Sequence, residues 1–190
     1  MGGIGSGRKS TGRTTVEDCK RVDIRYFRRH NLIKPDTVGT LRWTCRGEPS
    51  GDIRYQVTAG TLILTYRYRY AGGEWQPVRQ EIALITTPCH FGGRRYWLSC
   101  PGCQRCCAVL CCDGRLFLCR HCYRLPYQSQ LENGFGRACL RRSKLEEQLY
   151  DHSQKRRWKS STDKLVARLV AAEEEVNQVM AARLGHIEQE

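Results

Sequence analysis

Residues 100–122 carry the sequence CPGCQRCCAVLCCDGRLFLCRHC. Two Cys-x-x-Cys pairs frame this stretch, Cys100 with Cys103 and Cys119 with Cys122, and fifteen residues separate the pairs. Such spacing is typical of a four-cysteine zinc site, in which each pair forms a tight turn that directs two thiolates at one ion. The sequence therefore predicts a closed tetrahedral zinc centre that stabilises the fold and leaves no open position for catalysis.

The segment between the two pairs has the pattern of a β-hairpin. Two short apolar runs, 108–112 and 115–118, flank Asp113 and Gly114, and Asp-Gly is a preferred two-residue hairpin turn. A hairpin framed by two metal-binding turns defines a zinc ribbon, and we predict one over residues 95–127.

A second metal site stays open as an alternative. Six further residues with metal-ligating side chains lie nearby: Cys89, His90, Cys106, Cys107, Cys111 and Cys112. Adjacent residues of a strand point to opposite faces, so each cysteine doublet offers one side chain to a given face, as a small core residue or as a ligand. The Cys-His pair lies between a proline and two glycines, where it forms either a structural turn or part of a site.

N-terminal to the cysteine pairs, apolar and polar side chains alternate over residues 39–87. This two-residue period is typical of half-buried strands. Four such runs occur, separated by turn residues at 48–51, 59–60 and 71–73: Leu41 to Arg46, Asp52 to Thr58, Thr61 to Tyr70, and Val78 to Ile85. We predict an antiparallel meander.

Alternation sorts the side chains of the meander onto two faces. The apolar face comprises Leu41, Trp43, Cys45, Ile53, Tyr55, Val57, Leu62, Leu64, Tyr66, Val78 and Ile82. The opposite face comprises Arg42, Arg46, Arg54, Gln56, Arg67, Arg69 and Arg79. A polar sheet face is usually solvated, but arginine is also a better bidentate phosphate ligand than lysine, so both interpretations remain.

Helices are predicted on either side of these β-rich segments. Thr14 and Glu17 form a capping box for a helix that ends near His30. Ser129 and Glu132 form a second one, which opens a predicted helical hairpin interrupted around residues 152–161.

The resulting fold class is α+β. We predict four parts: a flexible basic arm at 1–13, a helix and antiparallel sheet at 14–94, the zinc ribbon at 95–127, and C-terminal helices at 128–190.

Composition and charge indicate the class of partner. The 190 residues are 40% hydrophobic and 27% charged, which is typical of a globular protein, and the formal net charge is +13. A positive field of this size favours polyanions, so nucleic acid, DNA or RNA, is the expected partner. The chain shows neither a secretory apolar segment nor a membrane-length apolar run, so we expect a cytoplasmic protein with reduced cysteines and no membrane partner.

Candidate nucleic-acid contacts occur in the basic arm, in the zinc-site turns and in the C-terminal helices. They are Arg8, Lys9, Arg13, Arg105, Arg120, Arg137, Arg141, Arg142, Lys144, Arg156, Arg157 and Lys159. Trp158 lies within the last cluster, where it either stacks on a base or packs between helices.

Catalytic motifs are lacking. The chain has no H-E-x-x-H, no phosphate-binding glycine loop and no G-x-S-x-G. We therefore expect a binding protein, neither an enzyme nor a receptor for a small-molecule substrate.

Several of these motifs occur together in a group of small bacterial zinc-ribbon proteins of uncharacterised function, which the chain resembles. They are the Gly-Ser-Gly-Arg arm at Gly5 to Arg8, the Cys-His-Phe-Gly-Gly-Arg-Arg segment at Cys89 to Arg95, the two cysteine pairs, and Tyr-Gln-Ser-Gln at Tyr127 to Gln130. The resemblance implies a zinc-ribbon protein of a phage or mobile element. Two functions follow as hypotheses: an accessory or regulatory protein that binds nucleic acid, or an adaptor or inhibitor that docks on a host complex through the ribbon or the C-terminal helices.

Overall fold

A computed structural model describes residues 12–45, 47–150 and 159–185, and the side chains of 161–182 within the last range. The chain divides at Pro126 and Tyr127 into two compact units. The first unit contains, in chain order, β1 (Lys20–Asp23), α1 (Ile24–Arg29), β2 (Thr37–Cys45), β3 (Glu48–Thr58), β4 (Thr61–Tyr68), β5 (Gln76–Pro88), β6 (Arg94–Ser99), β7 (Cys106–Cys107) and β8 (Val109–Cys112).

The predicted antiparallel meander is confirmed. Six strands pair in sequence order from β2 to β7, every pair antiparallel, so the cysteine-rich segment extends the same sheet. The predicted boundary between residues 94 and 95 falls inside β6. The predicted turn at residues 48–51 is wrong, because the register shift between Trp43 and Thr44 lets β3 continue pairing with β2 as far as Glu48.

The core lies on one face of this sheet. Its buried members come from the predicted apolar face, from α1, from β6 and from the cysteine-rich segment: Ile53, Tyr55, Val57, Leu62, Leu64, Ile82, Phe27, Leu98, Leu110 and Phe117. Cys45, which alternation placed on that face, is exposed instead. The exposed arginines Arg42, Arg54, Arg67, Arg69 and Arg79 alternate with the buried positions, as predicted.

The N-terminal helix is much shorter than the sequence predicts, and a helix from Thr14 is wrong. The Asp18 carboxylate accepts hydrogen bonds from the N–H (2.9 Å) and hydroxyl (2.7 Å) of Thr15, which closes a turn. Residues 20–23 then pair with β8 as β1, burying Val22. Asp23 caps α1 by accepting the N–H of Arg25, so a pairing partner distant in sequence overrides the local helix signal.

The predicted two-residue hairpin at Asp113 and Gly114 is also wrong. β8 pairs mainly with β1, and it meets the returning chain at one point, where Cys111 and Leu118 exchange two backbone hydrogen bonds of 2.7 and 3.0 Å. The intervening residues form a wider loop, and the Gln80 side chain hydrogen-bonds with the backbone of Phe117 in this loop.

The side-chain amide of Gln80 hydrogen-bonds with the backbone of this loop, as a residue of a neighbouring strand would. Its Nε2 donates to the carbonyl of Phe117 and its Oε1 accepts the N–H of Phe117, both at 2.9 Å. Both residues are buried, so each bond satisfies a polar group that water does not reach. The pair joins the middle of the sheet to the segment that precedes Cys119.

Replacing Gln80 by leucine tests this connection. Gln80→Leu leaves two buried backbone groups of Phe117 without partners, and we expect the free energy of unfolding to fall by about 2–4 kcal/mol. Gln56→Leu is the matched control, since Gln56 is exposed on β3 of the same sheet, and we expect a change within about 0.5 kcal/mol. Urea unfolding followed by circular dichroism measures both, and equal effects would contradict the role given to Gln80.

The second unit is helical, with α2 (Gln128–Leu131), α3 (Gly134–Tyr150) and α4 (Lys159–Gly185). α3 and α4 pack on each other through Leu145, Leu165 and Ala172. The helix predicted to run on from Ser129 is interrupted before Gly134, because the Asn133 side chain accepts the N–H of Gly136 and starts α3 anew.

None of the helices in the described part of the chain is both long and apolar enough to cross a membrane.

Candidate metal centre and cationic surfaces

Two backbone turns bring the four predicted ligands together. The first follows β6: the Cys100 carbonyl accepts the N–H groups of Cys103 (3.3 Å) and Gln104 (2.7 Å), and the Cys100 N–H donates to the Arg105 carbonyl (3.0 Å). Gln104 adopts the left-handed conformation that this reversal requires, with φ at 57°. The turn therefore directs two sulfurs to one side of the chain.

The second turn follows the bridge between Cys111 and Leu118. The Cys119 carbonyl accepts the N–H of Tyr123 (3.3 Å), and the Arg120 carbonyl accepts the N–H of Leu125 (2.8 Å). Arg124 is left-handed near its end, with φ at 54°. Each Cys-x-x-Cys pair thus forms its own turn. A residue with positive φ follows the second cysteine in each turn, Gln104 in the first and Arg124 in the second.

The four sulfurs form a compact cluster. All lie within 4.8 Å of one another. The Sγ–Sγ distance is 3.6 Å for Cys103 with Cys119, 3.6 Å for Cys119 with Cys122, and 3.8 Å for Cys100 with Cys122. Four sulfurs bound tetrahedrally at about 2.3 Å from one ion are separated by about 3.8 Å, so these three distances are close to those of such a site.

Burial divides the cluster into an inner and an outer half. Cys100 and Cys119 are buried within the core of the sheet, whereas Cys103 and Cys122 are exposed. The N–H of Cys119 donates to the Sγ of Cys100 at 3.2 Å, which stabilises negative charge on that inner sulfur. The site can therefore take up an ion from solvent and hold it against the core.

The electrostatics of the cluster favour a thiolate at Cys119. Burial raises its pKa, but hydrogen bonds with the backbone of Cys122 and the thiols of Cys103 and Cys122 outweigh burial and lower the pKa to about 7. Desolvation and hydrogen bonds with the same group of sulfurs raise the pKa of Cys122. Within the thiol cluster, Cys119 therefore loses its proton before Cys122.

Within residues 12–45, 47–150 and 159–185, these four cysteines form the one group of three or more His, Cys, Asp or Glu side chains placed to share an ion. Cys89 and His90 lie exposed at the β5–β6 turn, and Cys106 is exposed. Cys111 packs with Val16, Cys19 and Leu125 in a separate small core. The open alternative of a second metal site thus finds no assembled ligand set in the described part of the chain.

Cys107 lies beside the cluster without joining it. Burial and the negative charge of Cys119 and Cys100 raise its pKa to about 12, so it remains a thiol at neutral pH. Its Sγ lies 3.3 Å from the Arg105 carbonyl and donates to it.

Metal analysis of single cysteine variants tests the assignment of ligands. Cys103→Ser removes one of the four sulfurs, so we expect the metal content of the purified protein to fall from about one ion per chain to a small fraction of that, with loss of cooperative unfolding. Cys106→Ser is the matched control, because Cys106 is also exposed and lies three residues away but outside the cluster.

Inductively coupled plasma mass spectrometry gives the metal content, and urea titration gives the cooperativity. A Cys103→Ser protein that keeps its metal and unfolds as cooperatively as the Cys106→Ser protein would contradict the four-sulfur site.

The basic residues that the sequence predicts to contact nucleic acid lie in different surroundings. In the two turns of the cysteine cluster, desolvation and the charges of Arg120 and Arg105 lower the pKa of His121, which favours its neutral form. Arg13 donates to the Arg124 carbonyl at 3.1 Å.

In the helical unit, the predicted contacts are largely engaged with neighbours. Arg137 donates to the Glu132 carbonyl at 2.8 Å, Arg141 forms an ion pair with Glu175, and Arg142 pairs with Glu146 at 3.4 Å. Lys144 is exposed. Lys159 is the first residue of α4, and Arg8, Lys9, Arg156 and Arg157 lie outside the described residues.

A basic cleft between β3 and β4 is the feature that sequence reasoning missed. It measures about 840 Å³ and is lined by Lys20, Arg54, Arg67, Arg69 and Trp75, among others. Alternation had identified its arginines only as part of one sheet face. Lys20 carried no signal, because its position depends on the pairing of β1 with β8, which is distant in sequence. Trp75 carried none because it lies in the connection between β4 and β5, where strand alternation gives no position.

No protein-family model, curated protein or solved structure matches this chain. The site is therefore interpreted from its own geometry.

Proposed function

We propose that this chain is a nucleic-acid-binding protein whose sheet unit is stabilised by a structural zinc ion in a zinc-ribbon setting. Zinc is the ion that best suits four thiolates in a tetrahedral arrangement, and a site with four protein ligands leaves no position for a substrate. The ion would contribute folding free energy, and the surface of the unit would carry the function.

The main support for the proposal is a set of exposed arginines that form no ion pair with a described carboxylate. Six exposed arginines of the sheet form no ion pair within the described residues: Arg42, Arg54, Arg67, Arg69, Arg94 and Arg95. Arginines that only solvate a surface commonly pair with carboxylates, as Arg25 does with Asp23 and Arg79 with Glu81. Guanidinium groups that form no ion pair with a described carboxylate, on a chain of net charge +13, are suited to bind phosphates.

The resemblance of the sequence motifs supports an accessory or regulatory role in a bacterial phage or mobile element. In that role the protein binds and positions nucleic acid without altering it covalently.

Fluorescence anisotropy across a salt series tests the proposal. We expect the protein to bind labelled oligonucleotides with a dissociation constant that rises steeply and log-linearly with salt, because binding releases counterions from phosphates. The double variant Arg94→Ala/Arg95→Ala should reduce the steepness of that dependence by about 1–2 in logarithmic slope if both side chains contact phosphate.

The matched control is Arg25→Ala/Arg79→Ala, which removes two exposed arginines that are already paired with carboxylates. Its salt slope should stay close to that of the parent protein. A parent protein that binds no nucleic acid at low salt would contradict the proposal.

A protein partner is the second candidate function, and one observation favours it. Val166, Val170 and Met180 lie on α4 with 42–48% of their surfaces exposed, and spacings of four and ten residues place them near one helix face. This apolar stripe is suited to helix–helix contact with another chain. Absence of nucleic-acid binding together with a stable complex lost in Val170→Glu would favour this function over the first.

A further inference from the structure

The cleft exists because two neighbouring strands diverge. β3 and β4 pair only between Arg54, opposite Thr65, and Thr58, opposite Thr61. Beyond that point β3 pairs only with β2, and β4 pairs only with β5. The facing edges at residues 51–53 and 66–68 therefore present backbone N–H and C=O groups to the cleft without a strand partner in the described chain.

Lys20 reaches into the cleft from β1. A Cβ atom added to Gly51 would lie 3.1 Å from Lys20 Cε and 3.2 Å from Lys20 Nζ, so the ammonium group rests against the backbone of β3. Gly51 has φ at 141°, a conformation that disfavours other residues. Glycine at this position thus permits both the local backbone and the close approach of the lysine.

The lining of the cleft is strongly cationic. Four basic residues line it: Lys20, Arg54, Arg67 and Arg69. Among the described residues that line the cleft, Asp52 is the one with a carboxylate. None of the four forms an ion pair within the described residues. Low-dielectric walls, including Phe117 and Tyr66, focus the positive field of these groups, so the cleft attracts an anion.

An exposed indole lies at one end of the cationic group. Trp75 has 54% of its surface exposed, although it lines the cleft. The guanidinium carbons of Arg69 and Arg67 lie 4.9 and 5.8 Å from its ring centroid. An exposed indole flanked by arginines offers a stacking surface next to phosphate ligands, which is the combination that single-stranded nucleic acid requires.

We propose that the cleft binds a single-stranded segment of nucleic acid, with its phosphates at Lys20, Arg67 and Arg69 and a base stacked on Trp75. This inference rests on the proposed function and specifies the form of its ligand. The volume of about 840 Å³ lies within the range of pockets that hold one small ligand, roughly 300–1,000 Å³, so the cleft has room for a few nucleotides. A single strand is favoured over a duplex because paired bases are not available to stack on Trp75. An acidic peptide would satisfy the charge but would leave the stacking surface unused.

Anisotropy titrations with matched single-stranded and duplex probes test the inference. The probes are labelled oligo(dT), oligo(U) and a DNA duplex of the same length, so the arms distinguish DNA, RNA and paired strands. We expect Trp75→Ala to weaken single-strand binding about 5- to 100-fold, as expected for loss of one stacked base, and to leave duplex binding within about twofold.

Two further variants control for folding and for loss of an aromatic surface. Trp75→Phe keeps a stacking ring and should restore most of the affinity. Phe91→Ala removes an aromatic side chain that is 99% exposed at the β5–β6 turn, outside the cleft, and should leave single-strand binding unchanged. The double variant Arg67→Ala/Arg69→Ala should weaken single-strand binding and flatten its salt dependence.

The outcomes separate the two proposals. If the parent protein binds single strands but Trp75→Ala and Arg67→Ala/Arg69→Ala bind them as Phe91→Ala does, the cleft assignment is wrong and the proposed function stands. If Trp75→Ala weakens duplex binding equally, the selectivity for single strands is wrong. If the parent protein binds none of the probes at low salt, both proposals fail.

Discussion

The cluster of four sulfurs is the constraint on which the sheet unit depends. Cys100 directly follows β6, and Cys119 follows Phe117 by two residues, so an ion shared by the two turns would join the last long strand of the sheet to the segment that crosses the core. That segment is held at a second point by Gln80, which binds the backbone of Phe117. A metal bound by the cluster, as we propose, and the carboxamide of Gln80 would together hold a stretch that has little pairing of its own.

The same segment connects the metal centre to the cleft. Cys112 and Phe117 line the cleft, and Lys20 enters it from the strand that pairs with β8. Four thiolates around a divalent ion would carry a net charge of −2, and the chain has Arg105 and Arg120 within the two turns that supply the cysteines. In the proposed function, the cluster would stabilise the sheet unit, and the sheet arginines that form no ion pair among the described residues would bind phosphates.

Local patterns predicted what depends on local spacing, and long-range pairing accounts for what they missed. Two Cys-x-x-Cys turns are each specified within a few residues, so the ligands of the cluster were identified from the sequence. Alternation likewise predicted the meander, because its strands are sequential. The helix expected from Thr14 was lost to pairing between β1 and β8, and a wider loop between Cys111 and Leu118 replaces the two-residue hairpin expected at Asp113-Gly114. Sequence patterns did not predict the cleft, because it arises where β3 and β4 separate. Trp75 lines it from the connection between β4 and β5.

X-ray absorption at the zinc edge of the purified protein tests the central claim most directly. The structure predicts a first shell of four sulfur scatterers at about 2.3 Å, with no nitrogen or oxygen ligand, because the cysteines at 100, 103, 119 and 122 supply every ligand. A first shell containing imidazole or water, fewer than four sulfurs, or no bound zinc after purification without chelators would contradict the account. In that case another interaction would have to hold the segment on which the cleft depends.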